Sequence, residues 1–238
     1  MPSRAEIKYY SSLKLKKFRQ KYGLYTVEGE KSVRELLEAG IDPEIVFSTA
    51  EHAFPGSAIV SESEMRQLSS LDHPPGILAV AHMPDYGPFT PPEKGIVLAL
   101  DGIRDPGKLG TILRSALWFG FGTVWLSSDC AEVTNPKCIQ ATMGAFTRIR
   151  WHVGELEPAL RTAALPVYGC LLEGQPLGAT SVQSPAFLLV GSESHGIREN
   201  LLPLVSHPIT IQRFGAGESL NAAVAAAIAM YHFASVGN

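Results

Sequence analysis

The sequence predicts an α/β protein in which a small α/β unit precedes a larger domain with a parallel sheet. Apolar runs of strand length alternate with helical segments, a pattern typical of parallel strands covered by helices. One stretch rich in proline and glycine, MPDYGPFTPPEKG at residues 83–95, interrupts this alternation. We therefore expect a small domain at residues 1–82, a linker at 83–95 and a second domain at 96–238.

The elements of the small domain follow from local signals. Gly40 ends a helical segment, and SESE at residues 61–64 has the spacing of a capping box that opens a short helix. Apolar runs between such signals predict strands. The expected elements are strands at Leu24–Val27, Ile45–Ser48, Ala58–Val60 and Gly76–Ala81 and a helix at Lys31–Ala39.

In the second domain, three strands run into polar loops that are each followed by a helical pattern. The last helix, Leu220–Phe233, is apolar nearly all round, which predicts burial, and Ser219 is placed to cap it. A helix is also expected after the second loop, with Ile197 and Leu201 on its apolar face. The predicted strands are Ile96–Leu100, Thr123–Leu126, Val167–Leu171, Phe187–Val190 and Pro208–Ile211.

Composition narrows the class of protein. The chain has 238 residues, 45% of them hydrophobic, so it can bury a core and is not expected to be disordered. It has no apolar run of about 18 residues and no apolar signal core near its start, so we expect no membrane helix. Three cysteines without a CxxC pair, and no His/Cys metal-ligand spacing, predict a reduced, cytoplasmic, metal-free protein.

Charge is distributed unevenly along the chain. The net charge is −3, but residues 1–21 carry seven basic residues against Glu6 alone, a net +6 that leaves −9 on the remainder. Such a basic arm can contact phosphates, or it can be an ordinary solvated helix; charge alone does not separate the two. The candidate nucleic-acid contacts on this arm are Lys14, Lys16, Lys17 and Arg19.

The first polar loop contains GxxxxGK at residues 102–108, the spacing of a P-loop. Leu109 stands where a P-loop has its magnesium-binding Ser or Thr, and Pro106 removes a backbone amide from the would-be phosphate cradle. A P-loop nucleoside triphosphatase is therefore ranked third, behind the two hypotheses given below. In the helix that follows, Arg114 is the residue whose charge we expect to point toward the mouth of the loop.

The three loops with their helices resemble the three motifs of the SpoU class of SPOUT methyltransferases. They read LDGIRDPGKLGTILRSALWFG, LLVGSESHGIRENLL and ITIQRFGAGESLNAAVAAAIAMY, and NPKCIQATMGAF at 135–146 is similar to the segment between the first two motifs. The resemblance covers residues 96–231. It implies an RNA ribose 2′-O-methyltransferase that uses S-adenosylmethionine, a carboxyl-terminal trefoil knot, a homodimer formed through the knotted domain and a small RNA-binding domain before it.

The resemblance also implies roles for individual residues. Arg114 matches the catalytic arginine, and we expect it to stabilise developing negative charge or bind a substrate phosphate rather than act as a base, because a guanidinium stays protonated in proteins. Glu193, Ser219 and Asn221 match the other catalytic polar positions. The positions that match the cofactor site are Gly191, Ile211 and Leu220, with Glu193, Gly196 and Asn221 as neighbours.

Two positions depart from the family pattern. Lys108 stands where asparagine is usual, and we expect it to contact an RNA phosphate; Gln140 stands where arginine is frequent. The separate small domain favours ribosomal RNA as substrate over transfer RNA. An RNA-binding assembly factor without catalysis is the alternative that Lys108 and Gln140 favour.

Overall fold

The computed structural model describes residues 2–236 and begins with a small domain on a four-stranded sheet. The sheet order is β1-β4-β2-β3, with β4 antiparallel to β1 and β2, and with β2 parallel to β3. This sheet is therefore mixed, because β4 returns between two earlier strands. The elements in chain order are α1 (Arg4–Ser11), α2 (Lys16–Tyr22), β1 (Leu24–Glu28), α3 (Glu30–Glu38), β2 (Ile45–Ser48), β3 (Ala58–Ile59), α4 (Glu62–Leu68) and β4 (Ile77–His82).

Two capping boxes fix helix starts in this domain. The box predicted from SESE is confirmed: the Ser61 side chain accepts a hydrogen bond from the Glu64 amide, and the Glu64 carboxylate accepts one from the Ser61 amide. A second box, which we did not predict, pairs Ser3 with Glu6 at the start of α1. Both helices then pack against one apolar cluster that includes Leu13, Phe47, Met65 and Leu78.

The large domain contains a six-stranded sheet, β10-β8-β9-β5-β6-β7, in which every neighbouring pair is parallel. This confirms the predicted parallel sheet. β5 lies beside β9, so the loops that follow these two strands meet at one edge of the sheet. The elements are β5 (Ile96–Leu100), α5 (Pro106–Trp118), β6 (Thr123–Leu126), α6 (Pro136–Thr142), β7 (Arg150–Val153), α7 (Leu156–Ala163), β8 (Val167–Pro176), β9 (Ala186–Val190), β10 (His207–Thr210) and α8 (Ala222–Val236).

Two elements of this domain differ from the sequence prediction. β7 was not expected, because its residues RWHV do not form an apolar run. The helix predicted after the second loop is wrong: residues 197–205 form turns with only one short 3₁₀ turn, Leu202–Leu204. The amide of Arg198 donates to the Asp101 carboxylate, and Pro203 has no amide to donate, so a regular helix cannot continue there.

The last helix is only partly buried. It begins at Ala222 and not at Leu220, and the Asn221 side chain accepts from the Ala223 amide, so the expected cap at Ser219 is wrong. Ala226, Ala229 and Met230 are buried, and α8 packs against α5. The prediction of burial all round is wrong, because apolar side chains on the opposite face are exposed: Val224, Ile228, Tyr231 and Val236.

Arg19 joins the two domains. Its side chain is 2% exposed, donates to the carbonyls of Leu13 and Lys14 at 2.9 Å each, and forms an ion pair with Glu132 of the large domain. The prediction that Arg19 contacts RNA is therefore wrong, because its guanidinium is enclosed by protein. Lys14, Lys16 and Lys17 are exposed, so RNA contact by these three stays a prediction.

Across residues 2–236, the structure contains no helix that is both long and apolar enough to cross a membrane.

Candidate active site

The first two motif loops, which follow the neighbouring strands β5 and β9, meet at the carboxyl ends of these strands, and α8 begins beside them. The two loops and the start of α8 line a cavity of about 560 Å³, within the usual range for small-molecule sites. The first loop contributes residues 101–105 and Lys108, the second contributes residues 192–199, and Ala222 represents the third at the start of α8. None of residues 211–221 of the third loop lines this cavity.

Glu193 connects all three loops. One carboxylate oxygen, Oε1, accepts from the Ala222 amide at 2.8 Å, and the other, Oε2, forms an ion pair with Lys108 Nζ. Both contacts favour the charged carboxylate, so the Lys108 hydrogen bond, followed by the Ala222 amide, lowers the pKa of Glu193. The carboxylate of Glu193 thus lies at the amino-terminal end of α8, where the helix dipole favours negative charge.

A second ion pair links the first loop to the second, and sequence reasoning missed it. Asp101 is 1% exposed and accepts from the Arg198 amide at 2.8 Å and from Arg198 Nε at 2.6 Å. Asp129, beside the same pair, accepts from Arg104 at 3.0 Å and from the Ser127 hydroxyl at 2.7 Å. The only sequence signal was the position of Asp101 directly after an apolar strand, and this position does not indicate that Arg198 is its partner.

We predict that Arg198→Met lowers the free energy of unfolding by about 1.5–3 kcal/mol, the usual contribution of a hydrogen bond to a charged group. The Asp101 carboxylate would stay buried but would lose the guanidinium of residue 198, keeping only the main-chain amide of that residue as a donor. Chemical denaturation measures the change. Arg161→Met is the control, because it removes only an exposed pair with Glu157 on α7, worth about 0.3–0.5 kcal/mol. Equal stability of the two variants would contradict the structural role of the Asp101–Arg198 pair.

The second loop closes on itself at Gly191. Ser192 and Gly196 exchange backbone hydrogen bonds, and Gly196 has a φ of 64°, in the region that favours glycine. A Cβ atom on Gly191 would lie 2.1 Å from the Gly196 carbonyl carbon and 2.3 Å from the Ile197 amide nitrogen. Gly191 and Gly196 are therefore required by the shape of the loop itself.

The third loop offers backbone groups to a ligand. In the described chain, the amides and carbonyls of residues 212–220 make no hydrogen bond to other backbone groups, and only the Gly217 carbonyl has a side-chain donor, Arg213 at 3.2 Å. All nine residues are exposed and line neither cavity, so their backbone donors and acceptors face solvent and are accessible to a cofactor. Leu220 is 47% exposed and Ile211 half-buried at the two ends of this loop.

The structure does not bring every predicted catalytic residue into the cavity. Arg114 is exposed on the outer face of α5 and makes no hydrogen bond or ion pair with residues 2–236. It lines neither the cavity between the loops nor a second one, of about 610 Å³, between α5 and α8. The expectation that it points toward the loop mouth is wrong. Ser219 is exposed, whereas Asn221 lies directly before the Ala222 amide that binds Glu193.

The GxxxxGK stretch does not form a phosphate cradle. The Asp105 carboxylate accepts from the Lys108 amide at 2.7 Å, and Pro106 occupies the first turn of α5. A carboxylate thus already binds the end of the helix that would receive a phosphate. Among residues 2–236, no group of three or more His, Cys, Asp or Glu side chains is placed to hold a metal ion.

The fold and the three joined loops define a methyltransferase of the SPOUT type. The family described as SpoU rRNA methylase matches residues 95–231, more than half of the chain, and the chain therefore belongs to this family. This confirms the predicted class. A second family, described as MRM3-like substrate binding domain, matches residues 4–79.

Individual relatives extend over nearly the whole chain. The 23S rRNA (guanosine(2553)-2′-O)-methyltransferase RlmP of Bacillus subtilis is 32% identical over 95% of both chains. A solved structure from Porphyromonas gingivalis, described as an RNA methyltransferase of the TrmH family, has a TM-score of 0.88 and 34% identity over 98% of both chains. An AdoMet-bound rRNA methyltransferase from Sinorhizobium meliloti has a TM-score of 0.86 and 25% identity over 98% of this chain and 95% of its own.

Proposed function

We propose that this protein transfers a methyl group from S-adenosylmethionine to the 2′-hydroxyl of a ribose in ribosomal RNA. The observation that carries the proposal is the 32% identity over 95% of both chains to a 23S rRNA 2′-O-methyltransferase. That similarity includes the small domain as well as the motifs. A protein that acts on ribosomal RNA is expected to work in the cytoplasm, where we place it.

The cofactor fits the second and third loops. S-adenosylmethionine supplies an activated methyl group on a sulfonium. The open backbone groups of residues 212–220, bounded by Ile211 and Leu220, are assigned to its polar atoms, and the narrow turn at Gly191 and Gly196 is the part of the second loop assigned to the cofactor. Asn221 and Glu193 lie where these two loops meet.

The side chains of the protein orient the ribose and stabilise charge. Holding the hydroxyl in line with the methyl group accounts for roughly 7–11 kcal/mol of the barrier in well-oriented systems. Glu193 and Asn221, held at the start of α8, are the groups that we assign to this orientation, with Ser219 contributing from the third loop. Arg114 stabilises the negative charge that develops on the oxygen or binds an adjacent phosphate.

The small domain, residues 1–82, is proposed to bind the RNA, with residues 83–95 as linker and 96–238 as the catalytic domain. The first sheet lies within residues 24–82 and the second begins at Ile96, which agrees with this division; residues 1, 237 and 238 lie outside the described part of the chain. Lys14, Lys16 and Lys17 on the exposed side of the small domain are its proposed phosphate contacts.

A knotted homodimer is also proposed. The apolar face of α8 formed by Val224, Ile228 and Tyr231 is exposed and borders the α5–α8 cavity. Exposed apolar patches of this kind are typical of protein–protein interfaces. A second copy packed on this face would place Arg114, on the outer side of α5, at the interface. The knot would form where the chain passes from the edge strand β10 back to α8, which packs on α5.

We predict that Ile228→Asp makes the protein monomeric and lowers its methyltransferase activity at least about tenfold, because a charge placed in an apolar interface is desolvated without a partner. Analytical ultracentrifugation measures the mass in solution. Leu172→Asp is the control, since Leu172 is an exposed apolar residue, 85% accessible, on β8. A dimer that persists in Ile228→Asp would place the interface elsewhere.

The test of the function is transfer of radiolabelled methyl groups from S-adenosylmethionine to ribosomal RNA that lacks 2′-O-methylation, with mapping by resistance to alkaline hydrolysis. We expect one resistant position in ribosomal RNA and none in bulk transfer RNA. Methylation of transfer RNA but not of ribosomal RNA would show that transfer RNA is the substrate. RNA binding without methyl transfer would favour the alternative suggested by Lys108 and Gln140, an RNA-binding assembly factor without catalysis.

A further inference from the structure

Lys108 is fixed at its base and at its tip. It is the third residue of α5, and its amide donates to the Asp105 carboxylate at 2.7 Å. Its Nζ forms the ion pair with Glu193. The two side chains are 36% and 32% exposed, so water reaches the pair only in part. The lysine therefore spans from the start of the first loop's helix to the middle of the second loop.

The carboxylate of Glu193 has one oxygen for each neighbouring loop. Oε1 accepts a hydrogen bond from the Ala222 amide, and Oε2 accepts one from Lys108 Nζ. Without the lysine, Oε2 would face the cavity without a protein donor among the described residues, and rotation of the carboxylate would no longer be restricted on that side. The hydrogen bond from the Ala222 amide would then be the one contact that positions the Glu193 carboxylate.

We propose that Lys108 is a positioning residue that holds Glu193 against the start of α8 and thereby keeps the three loops aligned for methyl transfer. The proposal rests on the proposed function, because it assigns Lys108 to that reaction. It replaces the expectation that Lys108 contacts an RNA phosphate.

Local charge supports positioning over phosphate binding. The ammonium group is already paired with the Glu193 carboxylate, and a second carboxylate, Asp105, accepts from the main-chain amide of the same lysine. A phosphate would have to displace Glu193 and enter a cavity lined by more acidic than basic side chains: Asp101, Asp105, Asp129, Glu193 and Glu199 against Arg104, Lys108 and Arg198. Arg104 and Arg198 are already paired with Asp129 and Asp101, so the exchange is electrostatically unfavourable.

The experiment compares wild type with Lys108→Met, Lys108→Arg and Lys137→Met, using ribosomal RNA and S-adenosylmethionine. Arginine keeps a positive donor. Lys137, 67% exposed on α6 with its Nζ 3.7 Å from Asp105 Oδ2, is the control for loss of one charge near the same loop. The readouts are kcat, the KM for RNA, its salt dependence, and hydrogen exchange of the backbone in residues 192–198 and 222–225 without RNA.

For Lys108→Met, we expect kcat to fall about 10- to 100-fold, as for loss of a hydrogen bond to a charged group. The KM for RNA should stay within about twofold of wild type. Lys108→Arg should recover much of the loss, and Lys137→Met should resemble wild type. Exchange in both segments should increase in Lys108→Met only.

The pH profile adds a readout that a general loss of stability would not reproduce. A lowered carboxyl pKa means that Glu193 stays charged, and holds both partners, until the pH falls through that lowered value. Removing Lys108 removes the largest cause of the lowering, so the acid limb of kcat/KM should move to higher pH. Lys137→Met should keep the acid limb of wild type.

Either of two results would overturn the proposal. Unchanged kcat with a raised KM for RNA, and a salt dependence reduced by about one phosphate contact, would assign Lys108 to RNA instead. Unchanged hydrogen exchange in Lys108→Met would show that it does not hold the loops. If wild type itself transfers no methyl group, the proposed function fails, while the exchange measurement still decides whether Lys108 positions Glu193.

Discussion

Replacement of Arg114 by alanine is expected to reduce turnover about 100- to 1,000-fold, corresponding to the roughly 2.7–4 kcal/mol that removal of a preorganised donor costs. The affinity for S-adenosylmethionine should not change, because Arg114 lies on the outer face of α5 and lines neither cavity. The fold should also be unaffected, since the guanidinium has no partner in the described chain that would be left unpaired. Single-turnover kinetics and calorimetric titration with the cofactor measure the two effects.

Arg161→Ala is the matched control for this experiment. Arg161 is an exposed arginine of the same domain whose ion pair, with Glu157, lies within α7. Normal turnover by Arg114→Ala would remove Arg114 from the catalytic group. A parallel loss of cofactor affinity would instead mean that the arginine shapes the cofactor site.

Gly191→Ala is expected to weaken cofactor binding at least about tenfold and to lower the melting temperature, because overpacking next to rigid backbone costs about 1–3 kcal/mol or more. The added Cβ would lie 2.1 Å from the Gly196 carbonyl carbon and 2.2 Å from its oxygen. These are backbone atoms, so the hairpin between Ser192 and Gly196 would have to open. Calorimetric titration with S-adenosylmethionine and thermal unfolding check the two effects.

Gly178→Ala provides the control for Gly191. A Cβ atom on Gly178 would have no atom within 4 Å, and the residue has no positive φ, so alanine fits there without strain. If Gly191→Ala bound the cofactor with wild-type affinity, the second loop would not be part of the cofactor site.

Much of the fold could be predicted because it depends on local patterns. The strands beginning at Ile45, Ile96 and Thr123 follow from apolar runs, and the capping box at Ser61 follows from the spacing of its two residues. β7 could not be found in this way, because its polar and aromatic residues make it a strand only through pairing with β6. The same holds for the missing helix after the second loop, whose Arg198 amide is taken by a residue 97 positions away.

The site was predicted unevenly for the same reason. Glu193 of the second motif and the start of α8 in the third motif lie together, since the Glu193 carboxylate accepts from the Ala222 amide. Asp101 and Arg198 were missed, because a buried ion pair between two loops leaves no periodic pattern in the sequence. The motifs also placed Arg114 with the other catalytic residues, while the structure keeps it apart on α5.

The sequence by itself determined the α/β class, the alternation of strands and helices and the three motifs of the family, because these depend on neighbouring residues and on residue types at fixed spacing. Only the tertiary structure decided which charges are available. Arg19 is enclosed by Glu132, 113 residues away, and Lys108 is held by Glu193, whereas Lys14, Lys16, Lys17 and Arg114 remain exposed. The physical reason is that a charged side chain takes its role from the partner that folding brings within reach, and composition does not encode that distance.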